Sequence, residues 1–281
     1  MAGSWTETVA AGGNIVPLFH VAAEGERRGG ILMLPALGVE AAFYERFAKG
    51  LAKAGFEVAV MEMRGNGRSN RRPGRGEAFG YREYVTEDMA AASRWLRAKL
   101  APGQKLIALG HSLGAHMAVA ATAIAPDLHD GIVTIAAGTP WHGAFKGKVA
   151  KQVKFLCRIM PLLHLVYGYF PGDKLGFAGR EYRGIMADWR HLAARNEFRI
   201  KGEAEALEPR LAAWPGRVLA ITLADDKLAP ASAAKGLIGK LTAAEVDHRI
   251  LSADDTATRA DHFKWARDVG NLPQIVAEWV G

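Results

Sequence analysis

The stretch Lys105-Leu106-Ile107-Ala108-Leu109-Gly110-His111-Ser112-Leu113-Gly114 decides how the rest of this 281-residue chain is read. Lys105–Leu109 is an apolar run of the length and composition of a buried parallel strand. Leu113–Ile124 reads as a helix that follows at once. Between them Gly110, Ser112 and Gly114 form a G-x-S-x-G turn, the strand-to-helix elbow that carries a nucleophile. The glycines let the backbone turn sharply without striking its neighbours. Such a turn pushes the Ser112 hydroxyl out above the sheet, and the helix amino terminus points its dipole at the place where negative charge develops. G-x-S-x-G alone is common by chance; its two flanks give it weight here.

Outward from the elbow, apolar runs recur between breakers. Gly30–Pro35, Phe56–Met61, Gly131–Ala136, Arg217–Leu223 and Glu245–Leu251 read as strands. Trp5–Val9 and Ile15–Val21, flanking Gly12 and Gly13, read as a hairpin. Helical spacing predicts helices over Glu40–Ala54, about Tyr84–Leu100, Ala231–Leu241, and from about His262 to Trp279. Strands alternating with helices predict a mostly parallel sheet flanked by helices, an α/β fold. The rhythm breaks between Pro140 and Pro215. That span is too long for a plain loop and predicts a helical insertion. The expected organisation is a core of residues 1–140 and 211–281, with residues 141–210 as a helical cap.

A serine hydroxyl needs a base, and the base needs an acid to orient it. After Arg217–Leu223 stand two acids, Asp225 and Asp226, of which Asp226, four residues before Pro230, is preferred. After Glu245–Leu251 stands His262, expected to open the last helix, giving the chain order Ser, Asp, His. His111 and His116 belong to the elbow, His142 and His164 to the insertion and His248 to a strand. Asp254, Asp255 and Asp261 read as loop solvation or a helix cap.

With these residues the sequence resembles the α/β-hydrolase fold family over essentially everything outside the insertion. Arg64-Gly65-Asn66-Gly67-Arg68-Ser69 looks like the R-G-x-G-x-S turn that these proteins carry after the fourth strand. Pro35-Ala36-Leu37-Gly38 stands where many members have H-G-x-G, so Pro35 and Ala36 depart from that pattern. The resemblance implies an oxyanion hole made by the backbone N–H groups of Leu37 and Leu113. It also implies acyl transfer through Ser112, His262 and Asp226, with neither metal nor cofactor. Serine at the elbow sets the chain apart from haloalkane dehalogenases and epoxide hydrolases of this fold, which use aspartate.

Composition narrows the class further. Hydrophobic residues make up 49% and charged residues 23%, which excludes disorder and collagen-like repetition. The single cysteine, Cys157, excludes a disulfide scaffold and a multi-cysteine zinc site, and suits a reducing compartment. Met1–Ala11 lacks the pattern of a signal peptide. The most apolar stretch, Phe155–Phe170, is interrupted by Arg158, Pro161 and His164 and falls short of a membrane span. The expectation is a cytoplasmic protein.

Net charge is +7, and it is concentrated: Trp141–Arg210 holds 13 Lys or Arg against 7 Asp or Glu, the remainder 23 against 22. A second basic cluster, Arg64, Arg68, Arg71, Arg72 and Arg75, lies in one loop. No nucleic-acid motif accompanies either cluster. If both face the mouth of a pocket, the substrate, or the surface presenting it, is anionic. Phe155–Phe170 offers an acyl pocket, a membrane-surface contact or plain packing of the cap.

The sequence thus predicts a serine hydrolase acting on a small-molecule carboxylic ester. A thioesterase, an amidase or an acyltransferase would use the same residues. A non-catalytic binder would keep the fold but has no need of an activated hydroxyl.

Overall fold

The computed structural model describes residues 3–77, 79–203 and 207–281. Met1 and Ala2 of the expected amino-terminal segment, and residues 204–206 of the expected cap, lie outside them. Eight strands form the main sheet: β1 (Ser4–Val9), β2 (Ile15–Val21), β3 (Gly29–Leu34), β4 (Phe56–Met61), β5 (Lys105–His111), β6 (Gly131–Ile135), β9 (Arg217–Leu223) and β10 (Glu245–Leu251), with β7 (Phe170–Pro171) and β8 (Arg180–Glu181) set apart as a two-stranded ribbon. Their order across the sheet is β1-β2-β4-β3-β5-β6-β9-β10. The β1–β2 hairpin is antiparallel and β2 joins β4 antiparallel; every later pairing is parallel.

Side chains alternate across each strand, so both faces are apolar. Leu32 and Leu34 of β3 face one core layer with Leu106 and Ala108 of β5, under the Ala90–Arg97 and Leu113–Ile124 helices. Ile31, Met33, Ile107 and Leu109 face the other, under the Glu45–Lys53 and Leu272–Val280 helices. The chain runs from β3 to β4 on one side, then returns to place β5 on the other side of β3. That reversal is where the crevice at the carboxyl ends of an open α/β sheet forms. Leu34 of β3 is paired with Gly110 of β5, so the loop carrying Leu37 and the elbow carrying Ser112 leave the sheet side by side.

Three elements differ from expectation. The Glu40–Ala54 segment starts as a 3-10 turn over Ala41–Tyr44 before the helix Glu45–Lys53. The helix expected from Tyr84 starts at Tyr81, where Glu83 accepts the Gly80 N–H, and passes through a π turn over Tyr84–Met89. The last helix does not run from His262. A 3-10 turn covers Lys264–Ala266 and the helix proper is Leu272–Val280. The break has a tertiary cause: the Asn271 N–H donates to Thr256 O at 3.0 Å, which holds the chain against the short helix Ala253–Thr256, and Pro273 suits only a first turn.

Between β6 and β9 the described residues form the helices Gly147–Tyr167, Arg183–Arg195 and Glu208–Ala213, the last of which crosses the boundary expected at residue 210, and the ribbon β7–β8. The ribbon, absent from the helical expectation, holds a buried acid. Burial pushes the Glu181 carboxyl from the ordinary 4.5 up to about 8. The folded chain therefore holds this proton where the unfolded chain has lost it, so stability falls as pH rises from 4.5 to about 8. The loss is at most about 5 kcal/mol by the linkage relation. Thermal melts of Glu181→Gln between pH 5 and 9 should show a flatter decline than the wild type. Parallel profiles for the two proteins would contradict this.

Candidate active site

Ser112 directly follows β5 and stands at the N-cap of the Leu113–Ile124 helix with φ 52° and ψ −112°, a conformation ordinary residues avoid. Close packing enforces the turn. A Cβ on Gly114 would lie 2.0 Å from Leu34 O, and one on Gly110 would lie 2.3 Å from Ala115 N. Neither position tolerates a side chain, which is the physical content of the two motif glycines.

Ser112 and His262 line one cavity of about 700 Å³, with Leu37 and Leu113 on the same wall. His262 sits behind the opening, 8% exposed. Its Nδ1 lies 2.7 Å from Asp226 Oδ2, and the Asp226 side chain is wholly buried. The other carboxylate oxygen, Oδ1, accepts the N–H groups of Leu228 at 2.8 Å and Ala229 at 2.9 Å. Both carboxylate oxygens thus have hydrogen-bond partners. Nδ1 facing a carboxylate carries the ring proton and leaves Nε2 as an acceptor. Trp265 Nε1 donates to His262 O at 3.0 Å and fixes the backbone behind the ring.

The structure thus brings together Ser112, Leu37, Leu113 and His262 at the cavity, with Asp226 against His262. Asp225 is not among them: its side chain is exposed, and its N–H donates to Ala260 O at 3.0 Å. Asp255 forms a capping box with Ser252, and Asp261 accepts the N–H groups of Phe263 and Lys264.

Beside the site stand Tyr44, which the sequence does not single out, and His111 and His116, which it assigns to the elbow. Tyr44 is fully buried; its oxygen accepts the Ala36 N–H at 2.9 Å and lies 2.8 Å from His111 Nδ1. Having accepted from Ala36, the hydroxyl donates to His111. The loop that bears Leu37 is so tied to the residue preceding Ser112. Burial, and then the neighbouring His262, hold His111 well below the ordinary histidine range, so a neutral ring lies beside His262, 4.9 Å between centroids and tilted by 51°. His116 lines the cavity and donates through Nε2 to Gly138 O at 2.9 Å, with burial pulling it down to about 4. A tyrosine at helical spacing and a histidine on a buried helix look like core, and no local signal separates them.

Neither basic cluster supplies a side chain to the cavity wall. Among the described residues the cavity wall carries no Lys, Arg, Asp or Glu. Arg64 pairs with Glu87 and Asp88, Arg68 lies over the Trp5 ring, and Arg72 and Arg75 donate to backbone carbonyls. Phe145, Val149, Val153, Leu156 and Ile159 of the insertion instead give the wall an apolar character. Among the described residues no group of three or more His, Cys, Asp or Glu is placed to hold a metal, and no helix is long and apolar enough to cross a membrane.

Comparison with known proteins agrees with this architecture. Residues 25–188 match the model of the family described as serine aminopeptidase, S33. An esterase from Exiguobacterium antarcticum is 15% identical, with TM-score 0.65, over 100% of this chain and 99% of its own. An α/β hydrolase, GrgF, from Penicillium sp. sh18 is 16% identical, with TM-score 0.63, over 100% and 97%. An enol-lactonase from Burkholderia xenovorans LB400 is 15% identical, with TM-score 0.61, over 98% and 99%. At such identities the likeness concerns the fold. No curated protein matches the sequence.

Proposed function

The chain belongs to the serine aminopeptidase, S33, family of α/β hydrolases, and from that membership we propose that it is a serine hydrolase cleaving carboxylic esters with an apolar acyl group. One observation carries the reading: Ser112, on its strained turn, opens into the same cavity as a histidine whose Nδ1 is 2.7 Å from a buried aspartate. In this mechanism Ser112 Oγ attacks the ester carbonyl carbon while His262 Nε2 takes the hydroxyl proton. The oxyanion is held by the N–H groups of Leu37 and Leu113, at the start of a helix whose first N–H groups have no intrahelical partner. Collapse breaks the C–O bond, and His262 returns the proton to the departing alcohol. Water, deprotonated by His262, then releases the acid from Ser112. Asp226 keeps the ring in the tautomer this needs and stabilises the imidazolium.

Residues 141–210 act in this reading as a cap that walls the acyl pocket. The uncharged wall also separates the proposal from aminopeptidase action. A free α-amino group calls for a carboxylate partner, and among the described residues none lines the cavity. The same wall offers no cation to an anionic substrate. Buried Cys157 suits a reducing, cytoplasmic setting.

The test is a series of p-nitrophenyl esters from acetyl upward, beside leucine p-nitroanilide. Until the cavity is filled, kcat/KM should rise about fourfold per methylene, from roughly 0.8 kcal/mol per buried CH₂. Adding an alcohol acceptor distinguishes acyl transfer by its ester product. Turnover of the anilide with inert esters would replace this proposal with a peptidase.

A further inference from the structure

The Gly147–Tyr167 helix of the insertion has a face turned away from the core that meets the cavity through one of its residues, Phe155. Cys157 and Met160 are buried, and Val149, Val153, Leu156 and Ile159 line the cavity. The third face is a stripe at helical spacing: Lys148, Lys151, Phe155, Arg158, Leu162 and Leu165. All six are exposed. Leu165 is 74% exposed, Leu162 61% and the adjoining Val166 51%, an unusual concentration on one helix. Lys148, Lys151 and Arg158, with Lys154 beside them, flank Phe155, and the carboxyl-terminal end, Leu162 and Leu165, is apolar. The 21-residue helix contains no acidic residue, and among the described residues none of its four Lys or Arg side chains pairs with a carboxylate. The stripe continues into the active-site mouth, because Phe155 both lines the cavity and is 63% exposed. Phe263, next to His262 in sequence, is 41% exposed and also lines it.

We propose that this helix docks the enzyme on an anionic lipid surface, with Leu162, Leu165 and Val166 entering the headgroup boundary, Lys148, Lys151, Lys154 and Arg158 against acidic headgroups, and the cavity mouth facing the lipid that supplies its ester. Charge selects this occupant. A wholly cationic and apolar face meets its complement on an anionic leaflet, whereas a second copy would oppose cation to cation. Four of the 13 Lys and Arg between Trp141 and Arg210 thus belong to this surface, and none lines the pocket. The inference rests on the cavity being a site for apolar acyl esters, but docking is read on the protein itself.

The experiment is flotation of the whole chain with vesicles of phosphatidylcholine mixed with phosphatidylglycerol, against phosphatidylcholine alone. The wild type should float with the mixed vesicles and not with the neutral ones, and added salt should release it. A variant carrying Lys148→Glu, Lys151→Glu and Lys154→Glu should bind about a hundredfold more weakly, at about fivefold per cation removed. A second, Leu162→Ser, Leu165→Ser and Val166→Ser, should also stay in solution. Both should hydrolyse soluble p-nitrophenyl butyrate as the wild type does, which reports that they fold. A wild type that does not float, or that floats equally with neutral vesicles, overturns the proposal without any variant. So does undiminished binding by either variant. Flotation without ester turnover would leave docking in place and remove the proposed function; turnover without flotation would do the reverse.

Discussion

Replacing Ser112 by alanine is expected to lower kcat on p-nitrophenyl butyrate by about 10⁵- to 10⁶-fold, the scale of losing the nucleophile from a cooperating set. KM should change by less than about threefold, because the hydroxyl acts on the bound ester and adds little to its binding. The fold should survive: alanine meets the same backbone strain at φ 52°, and the turn is held by Gly110 and Gly114, which stay. Thermal melts check that point independently. A residual rate within about tenfold of the wild type would show that the hydroxyl is not the nucleophile.

Asp226→Asn is expected to cost about 10⁴-fold in kcat, through the tautomer rather than through shape. The amide still accepts from Leu228 and Ala229 through its oxygen, as Oδ1 now does at 2.8 and 2.9 Å. Its NH₂ then faces His262 Nδ1 and needs an acceptor there. The ring proton moves to Nε2, where it can no longer take a proton from Ser112. Asp225→Asn, on an exposed side chain next door, should leave kcat within about twofold, since exposed substitutions touch neither the tautomer nor the packing. Steady-state kinetics of the pair separates the two acids; equal losses in both would contradict the assignment.

Much of this was legible in the sequence because buried parallel strands leave a strong mark. Phe56–Met61 and Arg217–Leu223 are nearly continuous apolar runs between breakers, and their bounds are those the structure has; the bounds of Glu245–Leu251 agree too, although it is a partly exposed edge strand carrying Glu, Asp, His and Arg. Ser112, Asp226 and His262 stand out because an elbow and two strand ends order them along the chain. What was hidden depends on contacts between distant segments. The interruption before Leu272 comes from Asn271 meeting Thr256, which helical spacing cannot register. A ribbon with two residues per strand, Phe170–Pro171 and Arg180–Glu181, is too short to show a period. Tyr44 matters because its hydroxyl, bonded to the Ala36 N–H, also meets His111, 67 positions further along the sequence. Charge was legible as an excess but not as a direction. The Gly147–Tyr167 helix has apolar residues on every side, so its sequence does not say which face meets the core.

The most direct measurement is labelling by a fluorophosphonate, followed by intact mass, on the wild type beside Ser112→Ala and His262→Ala. The probe reacts only with a hydroxyl that a neighbouring base activates, so it reports the Ser112–His262 pair without any assumption about substrate. One phosphonyl adduct per chain on the wild type, absent from both variants, is the expected result. A folded wild type that stays unlabelled, or an adduct that persists on Ser112→Ala, would contradict an activated serine at this elbow.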